Sequence, residues 1–259
     1  MRVAIPFALL ATAIFVGPAA AQDPGFAWAG TIAQGETIEI LGVNGDVEAE
    51  LSPDSRVHVQ ATRSGRRSDP SSVRIEVVEH DGGVTICAVY PTPDDARREN
   101  ECVPGGGQMS VNNNDVEVDF TIRVPAGVRF EGSTVNGGVQ AEGLRSAVVA
   151  STVNGDVRVA TSGTVEASTV NGDIDARMGA GTLTEDVSFS TVNGSIDLSA
   201  PASLNADLEA TTVNGEIDSD FEVTTRHSMT RHSVRGRIGT GGEDLDLSTV
   251  NGRITLRRI

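Results

Sequence analysis

The stretch Ser133-Thr134-Val135-Asn136-Gly137 decides the fold, because close copies of it return through the chain. The tripeptide Val-Asn-Gly, with Arg in place of Asn in one copy, occurs eight times, and from Gly137 onward the copies return every 16 to 22 residues. Self-similarity at such a period indicates that one supersecondary unit has been copied and that neighbouring units stack. The glycines of the eight copies are Gly45, Gly137, Gly155, Gly172, Gly194, Gly215, Gly236 and Gly252.

The positions around the tripeptide repeat with it. Asn is replaced once, by Arg235, whereas valine precedes this position and glycine follows it in every copy. The third residue after Asn is always Val or Ile, and the second is variable and mostly polar. Apolar residues alternate on both sides, as in Val187-Phe189-Thr191, with the period of a β-strand. We therefore expect two strands joined by a turn at Asn-Gly, with the valine directed inward and the variable position in water.

Two all-β architectures fit this pattern. Each Asn-Gly could close a hairpin in an antiparallel β-meander or sandwich, or form a corner of a parallel β-solenoid with coils of about 16–22 residues. A hairpin would point the valine outward, and only stacked coils bring each Asn within about 4.8 Å of the next, where an amide ladder rewards identity. We predict the solenoid and keep the meander as the alternative. The predicted turn residues are Asn44, Gly45, Asn136, Gly137, Asn154, Gly155, Asn171, Gly172, Asn193, Gly194, Asn214, Gly215, Asn251 and Gly252.

The chain divides into three predicted segments. Residues 1–21 have a basic start, an apolar run and the small-residue exit Ala19-Ala20-Ala21, the pattern of a cleaved secretory signal peptide. Residues 22–125 are predicted to form an N-terminal β-region, and 126–259 the repeat solenoid. The apolar run is too short to span a bilayer, and no cysteine follows the cleavage point to carry a lipid anchor. We therefore predict a periplasmic or secreted protein without membrane insertion.

Cysteine content and charge agree with export. The two cysteines, Cys87 and Cys102, are predicted to form a disulfide, since disulfides persist in oxidising compartments. Lysine is absent, and once Arg2 leaves with the signal peptide, 19 arginines face 36 acids, a net charge of −17. Such a surface repels nucleic acid and anionic lipid and attracts cations or basic partners.

A family resemblance follows from these residues. The run Phe120-Thr-Ile-Arg-Val-Pro-Ala-Gly-Val128, the copies of Ser133-Thr-Val-Asn-Gly137, and the ending Leu247-Ser-Thr-Val-Asn-Gly-Arg-Ile-Thr-Leu256 resemble the exported bacterial β-strand-repeat family labelled "putative adhesin", a domain of unknown function. The resemblance implies an exported all-β protein and brings no catalytic residues with it. The copy at Arg235 departs from the family's Asn-Gly pattern.

Two clusters are candidates for binding. Asp175, Asp197 and Asp218 occupy the same position in three consecutive copies, so that sequential stacking would align them as a calcium stripe or as a solvated acidic face. The segment 226–237 concentrates basic residues that could hold a phosphate, a sulfate or an acidic glycan, or could neutralise neighbouring acids. The candidate anion-binding residues are Arg226, Arg231, Arg235 and Arg237.

The function predicted from the sequence is not enzymatic. The nucleophile-elbow, zinc-protease and phosphate-loop motifs are absent from the sequence, and no cofactor is predicted. We predict an exported, adhesin-like scaffold that presents an acidic β-surface to a protein or glycan of the cell envelope. The alternative is a carbohydrate-active β-helix enzyme, a lyase or a hydrolase, in which paired aspartates act as acid and base.

Overall fold

The computed structural model describes residues 25–106, 109–230 and 232–259, with the backbone alone for 225–230. The predicted signal peptide lies outside these residues. Within them the chain forms β-strands and one 3-10 turn, Pro70–Ser72, and no α-helix. The strands are β1 (Phe26–Gly30), β2 (Thr37–Leu41), β3 (Val47–Leu51), β4 (Val57–Ser64), β5 (Arg74–His80), β6 (Gly83–Val89), β7 (Glu117–Val124), β8 (Arg129–Ser133), β9 (Val139–Leu144), β10 (Val148–Ser151), β11 (Val157–Thr161), β12 (Val165–Ser168), β13 (Ile174–Met178), β14 (Val187–Asn193), β15 (Ile196–Ala200), β16 (Ala206–Asn214), β17 (Ile217–Ser219), β18 (Val223–Thr230), β19 (Ser233–Ile238), β20 (Asp244–Asn251) and β21 (Ile254–Arg258).

The strands form two sheets that enclose one hydrophobic core. Sheet 1 has the order β1-β4-β7-β3-β9-β11-β13-β15-β21-β17, and sheet 2 has the order β18-β19-β16-β20-β14-β12-β10-β8-β2-β6-β5. Each repeat gives one strand to sheet 2, turns at Asn-Gly and gives the next strand to sheet 1. Side chains alternate between the core and the outer face, as in β14, where Val187, Phe189 and Thr191 are buried.

Repeat strands within each sheet pair in parallel, which confirms the solenoid and excludes the meander. Val157 of β11 lies beside Val139 of β9 and Ile174 of β13, so that equivalent positions are neighbours. Seven Asn-Gly corners stack, and their six steps of about 4.8 Å span about 29 Å. The core is narrow and is filled mainly by Val, Ile, Leu and Ala.

The order of the coils differs from the sequence order. Sequential stacking predicts that the coil of Asn214 lies on that of Asn193, but β20 separates β14 from β16, and β21 separates β15 from β17. The last coil, 244–258, is therefore inserted into the stack. The antiparallel strand β19 occupies the other edge of β16, so the Asn214 coil is the last parallel coil of the stack.

The copy at Arg235 is not a corner. Arg235 and Gly236 lie inside β19, where they pair antiparallel with Glu209 and Leu208 of β16. The seven turns predicted from Asn-Gly do not include this copy, which departs from that pattern. An arginine side chain cannot both donate and accept in an amide ladder, whereas an antiparallel strand places it opposite an acid.

The N-terminal residues supply the first coil of the stack. The parallel pairs β2–β8 and β3–β9 join the copy at Asn44 to the repeats, so both sheets are continuous across residue 125. Antiparallel strands then cover this end, β4 on β7 in sheet 1 and β5 on β6 in sheet 2. The division of the chain at residue 125 remains a prediction.

The disulfide between Cys87 and Cys102 is present, with a Cα–Cα distance of 5.5 Å. It ties the loop that follows β6 to that strand. In the described ranges no helix is long and apolar enough to cross a membrane.

Candidate functional site

The Asn-Gly corners carry a continuous ladder of side-chain amides. Each Nδ2 donates to the Oδ1 of the neighbouring coil at 2.8–2.9 Å, and the order is Asn44, Asn136, Asn154, Asn171, Asn193, Asn251 and Asn214. At the first end, Asn44 Nδ2 donates to the Val116 carbonyl at 3.3 Å. Because each inner Asn both donates and accepts, replacing one breaks two hydrogen bonds. The ladder explains why the coils prefer the same residue.

The Thr and Gly of the phrase also join neighbouring coils. The hydroxyl of buried Thr169 donates to the Gly155 carbonyl at 3.0 Å, and that of Thr191 to the Gly172 carbonyl at 3.0 Å. These carbonyls are within reach because the backbones of adjacent coils approach closely at the glycines. Thr therefore forms the inner surface of the corner. The six threonines in this role are Thr134, Thr152, Thr169, Thr191, Thr212 and Thr249.

The valine before Asn faces solvent, so the expected inward orientation was wrong. Six of these valines are 37–61% exposed, and Val213, at the open end of the stack, is the most exposed. The strand alternation requires this, because Thr occupies the inward position directly before the valine. They form a column on the corner: Val135, Val153, Val170, Val192, Val250 and Val213.

The amide ladder gives a testable stability difference. Asn171→Ala removes one donated and one accepted bond, and we expect it to lower the free energy of unfolding by about 1–2 kcal/mol. Asn214→Ala is the matched control. Asn214 donates to Asn251, and among the described residues no amide donates to its own Oδ1, so about half that cost is expected. Urea denaturation of both variants measures the difference, and equal costs would contradict a directional ladder.

An acidic column lies on the outer face of sheet 2. Its members are neighbours in strand register, and each lies two residues before the Ser or Thr that opens a repeat phrase. The column, in stack order, is Glu131, Val149, Glu166, Ser188, Asp246 and Glu209. The sequence analysis did not identify this column. The position two residues before each repeat phrase can be read from the sequence, but which of these positions are neighbours depends on the order of the coils.

Burial and the charges of neighbouring carboxylates disfavour ionisation of two carboxyl groups in the acidic column. Burial and then the charge of Glu39 raise the pKa of Glu131 above its ordinary value. Burial and then the charge of Glu209 raise the pKa of Asp246. Ionisation of these two carboxyl groups therefore costs free energy in the folded protein. A cation bound beside them would lower that cost.

The raised pKa of Glu131 predicts a pH-dependent effect of its removal. A carboxyl with a raised pKa in the folded state costs nothing at low pH, where it is protonated in both states, and costs most above its folded pKa. Glu131→Gln should therefore be more stable than the parent at pH 7, with an advantage that vanishes as the pH falls below the ordinary value of 4.5. Glu50→Gln, at an exposed site of sheet 1, is the control and should give a smaller effect. Urea midpoints from pH 4 to pH 8 measure it, and an advantage that grows toward low pH would contradict the assignment.

The three aspartates of the calcium candidate do not form a stripe. Asp175 and Asp197 are neighbours in register, but Thr255 of the inserted coil lies between Asp197 and Asp218. Arg257 contacts Asp197 at 3.2 Å. In the part of the chain that the structure describes, no group of three or more His, Cys, Asp or Glu residues is placed to hold a metal ion.

The candidate anion-binding arginines that are described contact acids of the neighbouring strand. Arg235 forms an ion pair with Glu209, and Arg237 Nε lies 3.6 Å from Asp207 Oδ1. The Arg226 side chain and Arg231 lie outside the described atoms. The paired arginines neutralise one end of the acidic face.

Comparison with known proteins gives a family and distant structural likenesses. A "putative cell adhesion protein" from Clostridium sporogenes is 11% identical, covers 91% of this chain and 100% of its own, and has a TM-score of 0.46. A "putative adhesin" from Bacteroides fragilis is 14% identical over 91% and 97% of the two chains, with a TM-score of 0.38. A "putative lipid binding protein" from Parabacteroides distasonis is 12% identical over 90% and 96%, with a TM-score of 0.35.

These TM-scores lie below 0.5, so the likenesses support no statement about function. No curated protein matches the sequence. The family model of Toastrack DUF4097 matches residues 107–257, which include six of the seven stacked Asn-Gly corners and more than half of the chain. The chain belongs to the Toastrack DUF4097 family.

Proposed function

We propose that this protein is an exported, non-enzymatic, adhesin-like scaffold that holds an acidic β-surface toward a protein or glycan partner of the cell envelope. The observation that carries the proposal is the acidic column on sheet 2, in which four carboxylates occupy one register position of six consecutive strands, with Val149 and Ser188 at the other two. Burial and nearby carboxylates raise the pKa of Glu131 and of Asp246 above their ordinary values, and a cation bound beside them would favour their charged forms.

The architecture suits presentation of a surface. The core is filled by side chains of both sheets, and the outer columns are fixed by the parallel register and by the amide ladder. A rigid surface loses little conformational entropy when it binds, which favours affinity. The disulfide fits a protein that works in an oxidising compartment such as the periplasm or the culture fluid.

The charge of the surface indicates the chemistry of the partner. The mature chain carries a predicted net charge of −17 and no lysine, so a basic protein segment or a cationic glycan is attracted over a long range at low salt. We place the contact on the acidic column near Glu131 and Glu166. Arginines pair with the acids at the β16–β19 end, whereas within the described residues no arginine lies within ion-pair distance of Glu131 or Glu166.

The test uses the mature protein and a synthetic ten-residue arginine peptide as the probe. In one variant the column is neutralised by Glu131→Gln, Glu166→Gln, Asp246→Asn and Glu209→Gln. The matched control removes the same charge from the outer face of sheet 1 by Glu48→Gln, Glu142→Gln, Asp175→Asn and Asp218→Asn. We expect the column variant to bind the peptide about ten-fold more weakly or worse, and the control to stay near the parent. An equal loss in both variants would show that bulk charge and not the column binds the probe.

The enzyme alternative is tested on the same material. We expect no new reducing ends or unsaturated sugars when the mature protein is incubated with neutral and acidic polysaccharides. Release of either, abolished by Asp175→Asn together with Asp197→Asn, would overturn the non-enzymatic proposal. That aspartate pair is the one the alternative requires.

A further inference from the structure

A second surface is distinguished by the absence of charge within it. Three outward columns lie side by side along the corner of the stack: the Ser or Thr that opens each phrase, the exposed valine and the Asn of the amide ladder. We call this surface the neutral strip. Its members are Ser133, Ser151, Ser168, Ser190, Ser248 and Thr211, Val135, Val153, Val170, Val192, Val250 and Val213, and Asn136, Asn154, Asn171, Asn193, Asn251 and Asn214.

Charge surrounds the neutral strip on both sides. The acidic column of sheet 2 runs along one side. Along the other side, just before the strands of sheet 1, lies the position two residues after Asn, which in stack order holds Gly138, Asp156, Asp173, Ser195, Arg253 and Glu216. Two molecules of this acidic protein repel one another wherever these columns face each other. The strip itself carries no charge, so two copies that meet on it bring no like charges into direct contact.

We propose that the neutral strip is a pairing surface for a second copy of this chain. The partner must match a column of valines that repeats every 4.8 Å or so, and another β-stack of the same chain has that spacing. Identical side chains at this spacing can interdigitate between two sheets and form a dry contact. The exposed valines supply the apolar area, and the Asn amides supply hydrogen bonds at its margin.

The amide ladder determines the relative orientation of the two copies in the dimer. Every described ladder bond points the same way along the stack, from Nδ2 of one coil to Oδ1 of the neighbour toward Asn44. The aligned amide dipoles of two strips in contact are favourable when they run in opposite directions. The two copies are related by a twofold axis, with Val135 of one near Val213 of the other, as in isologous dimers.

The size of the strip sets the strength of the dimer. Each copy contributes 18 side chains, fewer than the roughly 20–30 residues a side of a standard stable interface. The dimer is weak and reversible, in the micromolar range or above. Salt strengthens it, because screening reduces the repulsion between the flanking acids.

Sedimentation equilibrium of the mature protein at increasing protein concentration and at low and high salt tests the proposal. We expect a monomer–dimer equilibrium that shifts toward dimer with salt. Val153→Asp, Val170→Asp and Val192→Asp together should weaken the dimer about ten-fold or more. The control adds the same charges on sheet 1 through Gln140→Asp, Ser199→Asp and Thr255→Asp and should retain it at high salt. A parent that stays monomeric throughout, or a dimer that survives the valine changes, would overturn the proposal.

Crosslinking between copies gives a readout that needs no charge change. Val135→Cys and Val213→Cys are made in separate proteins, and each is oxidised alone and as a mixture. The two positions are five coils apart within one copy, so a bond between them reports only on the pair. Predominant crosslinking in the mixture supports the antiparallel pair, and crosslinking of each protein with itself alone overturns it. Binding of the arginine peptide is independent of both outcomes, since the acidic column lies outside the strip.

Discussion

Gly172→Ala is expected to lower the free energy of unfolding by about 3 kcal/mol or more. A Cβ at this position would lie well under 3.0 Å from the carbonyl oxygen of Gly155 in the neighbouring coil. That oxygen belongs to the backbone and accepts the hydroxyl of Thr169, so it cannot move aside without breaking the corner. One methyl group would thus separate two coils at the point where the amide ladder joins them.

Gly242→Ala is the matched control, because an added Cβ there would meet its nearest neighbour at an ordinary 3.5 Å. We expect a change within about 0.5 kcal/mol. Urea denaturation followed by far-UV circular dichroism measures both variants. Similar stabilities for the two would show that the coils do not approach closely at the glycines.

Phe189→Ala is expected to cost about 3–5 kcal/mol, as for other large buried aromatic side chains. Phe189 is 1% exposed, and its neighbours in register are Ala167 and Leu247. In a narrow core there is little else to fill the space that the ring leaves. The cavity would lie at the junction with the inserted coil, where β14 meets β20.

Val192→Ala, three residues along the same strand, is the control. Val192 is 40% exposed, so its loss should change stability by about 0.5 kcal/mol or less. Urea midpoints of the two variants also test which face of β14 is inside. A larger cost at Val192 than at Phe189 would reverse the orientation.

The sequence was sufficient to predict the class of fold because the corner residues interact with their own copies. Asn bonds to Asn, and Gly packs on Gly, so each coil selects the same residues in the next, and parallel stacking follows from that identity. The disulfide was predictable for a different reason: the chain has two cysteines, and the predicted export would place them where a disulfide persists.

The direction of the valine was not predictable from its regularity. Valine suits a strand on either face, whereas Thr is the residue whose hydroxyl can reach the glycine carbonyl from inside. Thr directly precedes the valine in six of the eight copies, and this adjacency left two phases of alternation open. The hydrogen bond of Thr169 to Gly155 shows which phase the chain adopts.

The order of the coils was also not predictable, and the candidate sites depended on it. The copies are nearly equivalent as neighbours, so local sequence does not determine which coil lies on which. The inserted coil moved Thr255 between Asp197 and Asp218 and removed the proposed calcium stripe. The same insertion placed Asp246 beside Glu209 and completed the acidic column.

The position of the last coil tests the account most directly. In the double variant Val192→Cys and Val250→Cys, the two thiols lie on adjacent coils about 4.8 Å apart, whereas in Val192→Cys with Val213→Cys they lie two coils apart, at about 9.6 Å. A short bifunctional thiol reagent should therefore crosslink the first pair efficiently within one monomer and the second pair poorly. Efficient crosslinking of Val192→Cys with Val213→Cys, and not of the first pair, would contradict the inserted coil and restore a sequential stack.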